Sequence, residues 1–212
     1  IFSSSAAVYG NPMYFPIDEL HPLQPSSYYG QTKLSTENSL EWFSKIHGLK
    51  YASLRYFNAA GFDVNKRIVG KEKNTENLIP LIMEVAKGYK PFIPIYGNDY
   101  STKDGTGVRD YIHVTDLATA HIYALETLRK DSKNLILNLG SETGFSVLEI
   151  LEKTKDILNI DIPHQIEERR KGDVAKVVSS CSLAEDILKW EKKYSSLEIL
   201  IKSTWYIYNL KT

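Results

Sequence analysis

Tyr28-Tyr29-Gly30-Gln31-Thr32-Lys33-Leu34 opens a polar stretch of helical spacing that runs to His47, where Gly48 supplies a left-handed stop. On either side stand strand-like runs: the apolar start at residues 1–4, and Tyr51-Ala52-Ser53-Leu54-Arg55-Tyr56-Phe57. Two strands separated by a helix of ten or more residues form the unit from which parallel sheets are built. Working outward, the alternation persists. Helical periodicity covers 78–87 up to Gly88, a proline-marked edge strand covers 91–96, and 108–114 alternates as a strand. An apolar helix at 116–129, a strand at 135–139, a helix at 146–158, an extended piece at 162–166 and helices at 182–190 and 196–208 complete the pattern. Between them lie a proline-rich loop at 11–25, a turn at Asn58-Ala59-Ala60-Gly61 and a polar surface loop at 63–76. The sequence therefore predicts an α/β fold with a mainly parallel sheet.

At 212 residues and 42% hydrophobic, the chain is long enough to bury a sizeable core as one large or two small domains. Lysine plus arginine and aspartate plus glutamate both total 26, so no global field favours nucleic acid or an acidic membrane, and any anion must be held by local groups. The single cysteine, Cys181, excludes an internal disulfide, and His21, His47, His113, His121 and His164 never fall at ligand spacing, so no metal is expected. Apolar runs of membrane-spanning length, signal-peptide patterns and glycosylation sequons are lacking, which points to the cytosol.

Tyr29 and Lys33 lie one helical turn apart and share a face. An ammonium beside a phenol favours the phenolate, the form that serves as a general base, and a hydroxyl within reach, such as Ser5, could share the proton. The spacing alone decides nothing and, without its context, reads first as an ordinary solvated contact. A glycine-rich dinucleotide loop is absent: Gly105-Thr106-Gly107-Val108-Arg109-Asp110 precedes a strand and lacks the third glycine. Gly140-Ser141-Glu142-Thr143-Gly144 places glutamate where a nucleophilic serine would stand.

Read in order, Phe2-Ser3-Ser4-Ser5-Ala6-Ala7-Val8-Tyr9-Gly10, Tyr29-Gly30-Gln31-Thr32-Lys33, Leu54-Arg55-Tyr56-Phe57-Asn58 and Gly97-Asn98-Asp99-Tyr100 resemble the extended short-chain dehydrogenase/reductases. Asp104-Gly105-Thr106-Gly107-Val108-Arg109-Asp110-Tyr111-Ile112-His113-Val114 is similar to the signature of the UDP-glucose 4-epimerase family, and Arg169-Arg170-Lys171-Gly172-Asp173 is the last distinctive block. The resemblance implies the C-terminal part of a doubly wound, Rossmann-like parallel sheet plus a smaller α/β substrate-binding domain. Residues 1–60 would be the remainder of the NAD-binding part and 61–212 mainly the UDP-sugar part, with 108–130 returning to the first. The family's glycine-rich NAD loop would lie in a segment before Ile1.

The resemblance also implies roles. Ser5, Tyr29 and Lys33 would be catalytic and touch NAD, which Tyr56 would also contact; Tyr29 would take the sugar 4-hydroxyl proton while hydride moves between C4 and NAD. Asn58, Asn77, Leu78, Tyr96, Arg109, Arg170, Asp173 and Val177 would hold the UDP-hexose, with the arginine forks on the pyrophosphate, Asp173 on a ribose hydroxyl and Tyr96 against uracil. Val177 would leave room for an N-acetylated sugar. Related nucleotide-sugar 4,6-dehydratases need a carboxylate pair where this chain has Ala6 and Ala7, which disfavours dehydration. A non-catalytic UDP-sugar-binding remnant is the other alternative. The implied assembly is a homodimer formed through helices of the 29–47 type, where Leu40, Phe43 and Ile46 suit burial against another helix.

Overall fold

The computed structural model describes residues 1–71 and 75–210. The chain runs β1 (Phe2–Ser5), a 3-10 turn (Ala6–Val8), α1 (Tyr28–His47), β2 (Ala52–Tyr56), β3 (Asn58–Ala60), α2 (Leu78–Ala86), β4 (Ile93–Tyr96) and β5 (Val108–His113). It continues through α3 (Val114–Asp131), β6 (Leu135–Leu139), β7 (Gly144–Ser146), α4 (Val147–Leu158), β8 (His164–Glu167), β9 (Lys176–Val177), α5 (Ser182–Leu188) and α6 (Leu197–Asn209). The expected alternation holds, and every strand pairing but β5 with β7 is parallel. Three short strands depart from the sequence reading. Asn58-Ala59-Ala60, read as a turn, is β3 because Asn58 through Ala60 find partners at Tyr111 through His113. β7 and β9, unread in the sequence, are likewise recruited by β5. The expected loop at 63–76 carries no regular element among its described residues, and 72–74 lie outside them.

Local chemistry fixes the helix ends. Ser27 caps α1 by accepting from the Gly30 N–H at 3.1 Å, and Gly48 ends it at φ 68°. Ser146 and Glu149 form a reciprocal capping box at the start of α4.

Among the described residues two large apolar cores and a small cluster of Val8, Tyr9, Ile17 and Phe57 result. One packs Ala52, Leu54, Leu135, Leu137 and Leu139 of the β1-β2-β6 sheet against Leu117, Ala120 and Ala124 of α3, Ala184 and Leu188 of α5, and Trp190. The other gathers Ile79, Ile82 and Met83 of α2, Ile93 and Ile95 of β4, Ile150 and Leu151 of α4, and Leu200 and Ile201 of α6. Each fully buried leucine, isoleucine or methionine among them contributes about 1.5–3 kcal/mol, and each alanine less. Strand alternation in β5 sends Tyr111 into the second core and Ile112 into the first. β4 and β8 form a separate two-stranded sheet, so Pro94 meets no second neighbour and the proline-marked segment is an edge as expected. α1 buries only Gly30 and Glu37, leaving Trp42, Phe43 and Ile46 exposed instead of covered by another helix of this chain.

Candidate functional site

A cleft of about 530 Å³ opens between the β3 end, the start of α2, β4 and the 107–111 stretch of β5. It is lined by seven of the side chains singled out in the sequence: Asn58, Asn77, Leu78, Tyr96, Arg109, Arg170 and Asp173. Five different segments supply them. Asn77 stands at the N-cap position of α2 and Leu78 begins it. Tyr96 ends β4 beside Gly97, whose φ of 85° turns the chain out of the strand. Arg109 is aimed by β5; its Nη1 donates to the Val108 carbonyl at 3.0 Å, and its Nη2 lies 3.9 Å from an Asp173 carboxylate oxygen. Gly107 packs closely under that guanidinium: a Cβ there would stand 3.2 Å from Nη1, a tight contact to which the arginine tip would have to give. The Arg170 guanidinium lies 3.8 Å from the centre of the Tyr96 ring, a stacking geometry. Its neighbour Arg169 is engaged elsewhere, donating to Asp99 at 2.6 Å and lying over Tyr100. Burial pushes the Tyr111 phenol in the cleft wall up to about 12, against the pull of Arg109, so it stays neutral.

Ser5, Tyr29 and Lys33 gather at a second place, where α1 begins against the end of β1. The contact is close: a Cβ on Gly30 would stand 2.4 Å from the Ala7 carbonyl oxygen, so only glycine lets the helix approach the turn that follows Ser5. Ser5 Oγ accepts from the Ala7 N–H at 3.1 Å, capping that turn. Lys33 Nζ donates to the Ser3 carbonyl at 2.8 Å and lies 5.4 Å from the Tyr29 ring centre. Tyr29 is 56% exposed, and among the described residues no hydrogen bond joins it to Ser5. The corner and the cleft are bridged by Phe57, which lines the cleft and packs with Val8, Tyr9 and Ile17 behind the Ser5 turn. Val177 packs on the same cluster and pairs with Arg109, outside the cleft lining.

Tyr56 stands beside Ser3, the residue whose carbonyl accepts from Lys33. Consecutive strand residues point to opposite faces, so Phe57 turns to the cleft while Tyr56 turns to α3. There its hydroxyl meets His121 Nε2 and lies 2.9 Å from Ser3 Oγ. His121 Nδ1 faces the Leu117 carbonyl at 2.7 Å and must carry the ring proton, which leaves Nε2 to accept from the phenol. Burial raises the Tyr56 phenol above its ordinary value, which the Ser3 hydrogen bond partly opposes.

Sequence reasoning missed Asp110, the neighbour of Arg109. Its fully buried side chain accepts from the N–H groups of Ser141, Glu142 and Ser179 and from the Ser141 and Ser179 hydroxyls, tying β5 to both loops beside it. The only available signal was an aspartate inside an apolar strand.

The chain is 46% identical over 205 residues to the UDP-glucose 4-epimerase of Halalkalibacterium halodurans, covering 97% of this chain and 61% of that protein. A crystal structure of the UDP-glucose 4-epimerase of Stenotrophomonas maltophila, with bound NAD and formylated UDP-arabinopyranose, superposes with a TM-score of 0.93 at 39% identity, over 98% of this chain and 62% of that one. The Brucella ovis UDP-glucose 4-epimerase in complex with NAD gives a TM-score of 0.94 at 39% identity, over 99% and 65% of the two chains. The chain thus spans about three fifths of the length of the curated relatives it matches. The family described as GDP-mannose 4,6 dehydratase matches residues 1–204, and the chain belongs to that family.

Proposed function

We propose that this chain carries the catalytic corner and the substrate cleft of an NAD-dependent UDP-glucose 4-epimerase, an isomerase of galactose metabolism that interconverts UDP-glucose and UDP-galactose. The observation that carries the reading is the convergence of Asn58, Asn77, Leu78, Tyr96, Arg109, Arg170 and Asp173 on one cleft next to the Tyr29–Lys33 corner. In this reading the Arg109 and Arg170 forks bind pyrophosphate oxygens, Asp173 accepts from a ribose hydroxyl, the Tyr96 face takes the uracil, and the Asn58 and Asn77 amides orient phosphate and sugar. Tyr29 as phenolate takes the 4-hydroxyl proton and returns it; Ser5 holds that hydroxyl; Lys33 stabilises the phenolate charge. NAD, when bound, supplies the acceptor and donor of hydride. Its fit rests on Lys33: an ammonium has three N–H donors, and the Ser3 carbonyl occupies one, leaving others for a ribose.

The family's dehydratase chemistry is disfavoured because Ala6 and Ala7, which follow Ser5 in the 3-10 turn, offer no carboxylate to protonate a leaving hydroxyl. Acceptance of UDP-N-acetylglucosamine and its galacto epimer is part of this reading through the small side chain of Val177 in β9, which stands behind Phe57 and not in the cleft lining itself. We assign 1–60 to the nucleotide part and 61–212 mainly to the substrate part, with the stretches of α3, β6 and α5 that build the first core returning to the nucleotide part. The exposed Trp42, Phe43 and Ile46 of α1 support a homodimer, and the charge-balanced, single-cysteine composition supports a cytosolic setting. Among the described residues no helix is long and apolar enough to cross a membrane.

The test is calorimetric titration with UDP and a turnover assay with UDP-galactose and UDP-N-acetylgalactosamine on the full-length, NAD-loaded protein. Arg109→Met is expected to weaken UDP at least tenfold, the loss of a charge-assisted contact of about 1.5–3 kcal/mol. Binding of UDP without turnover by the full-length protein would leave a binding module, and absence of UDP binding would overturn the reading.

A further inference from the structure

Glu37 is the one charged residue that α1 buries, with 4% of its surface exposed on a helix whose other faces meet water. It continues the stripe of Tyr29 and Lys33 by one more turn. Its carboxylate grips Arg55 of β2 in bidentate fashion: Nε donates to Oε1 at 3.0 Å and Nη2 to Oε2 at 2.7 Å. Oε1 also accepts from Ser4 Oγ at 2.5 Å, from the residue immediately before Ser5. Arg55 Nη1 donates to the Tyr9 hydroxyl at 3.0 Å, and that hydroxyl donates to Asn138 of β6 at 2.6 Å. One carboxylate therefore fastens α1, which carries Tyr29 and Lys33, to the strand that carries Ser5 and to the strand behind it.

Stability is a poor explanation for such a group. Desolvating two charges offsets most of their attraction, and apolar residues of equal volume are commonly as stable. What apolar packing cannot supply is direction: a bidentate pair plus a hydroxyl allows one rotation and one height of the helix over the sheet. We infer that Glu37 is a positioning residue that sets the separation of the Ser5 hydroxyl from Tyr29 and Lys33, acting through Ser4 on one side and through α1 on the other. The inference rests on the epimerase reading above.

Ser4→Ala is the discriminating variant, since it cuts the link to β1 and leaves the Glu37–Arg55 pair whole; Glu37→Gln weakens both links. Ser53→Ala is the control, because Ser53 Oγ is buried on β2 and has no hydrogen-bond partner among the described residues. In the full-length, NAD-loaded protein, Ser4→Ala is expected to lower kcat for UDP-galactose about tenfold, short of the roughly hundredfold cost of a displacement of about 1 Å, with KM within twofold. Ser53→Ala is expected to leave both constants unchanged. A merely structural role would instead lower the melting temperature and leave kcat of the folded fraction intact; kcat within twofold in Ser4→Ala overturns the inference. Hydrogen exchange of the amides of residues 28–33, followed on the same samples, needs no turnover: faster exchange in Ser4→Ala and Glu37→Gln but not in Ser53→Ala supports the positioning role, and unchanged exchange overturns it. An unmodified protein that fails to epimerise would overturn the functional reading while the exchange experiment still decides this one.

Discussion

Asp110→Asn changes one buried atom and tests whether the loops beside β5 are held by a carboxylate. Oδ1 of Asp110 accepts from Ser141 N at 2.6 Å and Ser141 Oγ at 2.7 Å, while Oδ2 accepts from Glu142 N at 3.0 Å, Ser179 N at 3.0 Å and Ser179 Oγ at 2.5 Å. The amide has one acceptor oxygen and is expected to place it where three donors converge. Its NH2 then faces the Ser141 N–H, donor against donor. The Ser141 hydroxyl has an alternative partner in the Thr143 carbonyl at 3.0 Å, so the unrelieved loss is one buried backbone donor plus the charge on the remaining bonds. A buried unsatisfied donor costs about 1–3 kcal/mol, and hydrogen bonds to a charged group are stronger than neutral ones by about 1 kcal/mol, which gives about 2–4 kcal/mol in all. With a urea slope of about 2.5 kcal/mol per molar, the midpoint of chemical unfolding should fall by about 1–1.5 M. Circular dichroism through a urea series measures it on the chain as it stands. A fall under about 0.5 M would refute the reasoning, because the network would then contribute no more than a pair of ordinary hydrogen bonds.

Gly30→Ala should destabilise although alanine is the better helix former by about 1 kcal/mol, because its Cβ would stand 2.4 Å from the Ala7 carbonyl oxygen; a net loss of about 1–3 kcal/mol is expected by the same urea assay. His113 gives a pH dependence. Burial lowers it below its ordinary value of 6.5, against the charges of Asp116 and Asp63, while its Nδ1 accepts from the Thr115 N–H at 3.0 Å and caps α3. The unfolded chain therefore binds a proton that the folded one refuses, so stability is full above about pH 7.5 and falls as pH drops through 6.5 towards the lowered folded value. The slope is at most about 1.4 kcal/mol per pH unit, and His113→Asn, which keeps a capping acceptor, should flatten the pH dependence of the urea midpoint between pH 7.5 and 5.5.

The parts legible in the sequence are those whose determinants are local. Gly48 and Gly88 end α1 and α2 because each adopts positive φ, and Ser146 with Glu149 starts α4, all from residues a turn apart. β3 was illegible for the opposite reason: Asn58-Ala59-Ala60 has turn chemistry, and what makes it a strand is β5, far along the chain. β7 and β9 are too short to show periodicity and exist only because β5 offers edges. The site divides in the same way. Arg109 and Asp173 stood out through their motifs and do meet at the cleft. That Phe57 faces the cleft and Tyr56 faces α3 was not legible, because alternation fixes relative orientation and leaves open which face is the cleft. Asp110 and Glu37 could not be interpreted without Ser179 and Arg55, partners separated from them by 69 and 18 residues.

β5 sends Tyr111 into the core of α2, α4 and α6 and Ile112 into the core of α3 and α5, and it pairs with β3, β7 and β9. Neither core can melt while the other keeps its strand, since fraying β5 strips a wall from both at once. Thermal unfolding of the chain should accordingly be a single cooperative event, with probes in the two cores sharing one midpoint, and heat should spread an injury at Arg109 or Asp110 through the whole molecule instead of confining it to the cleft.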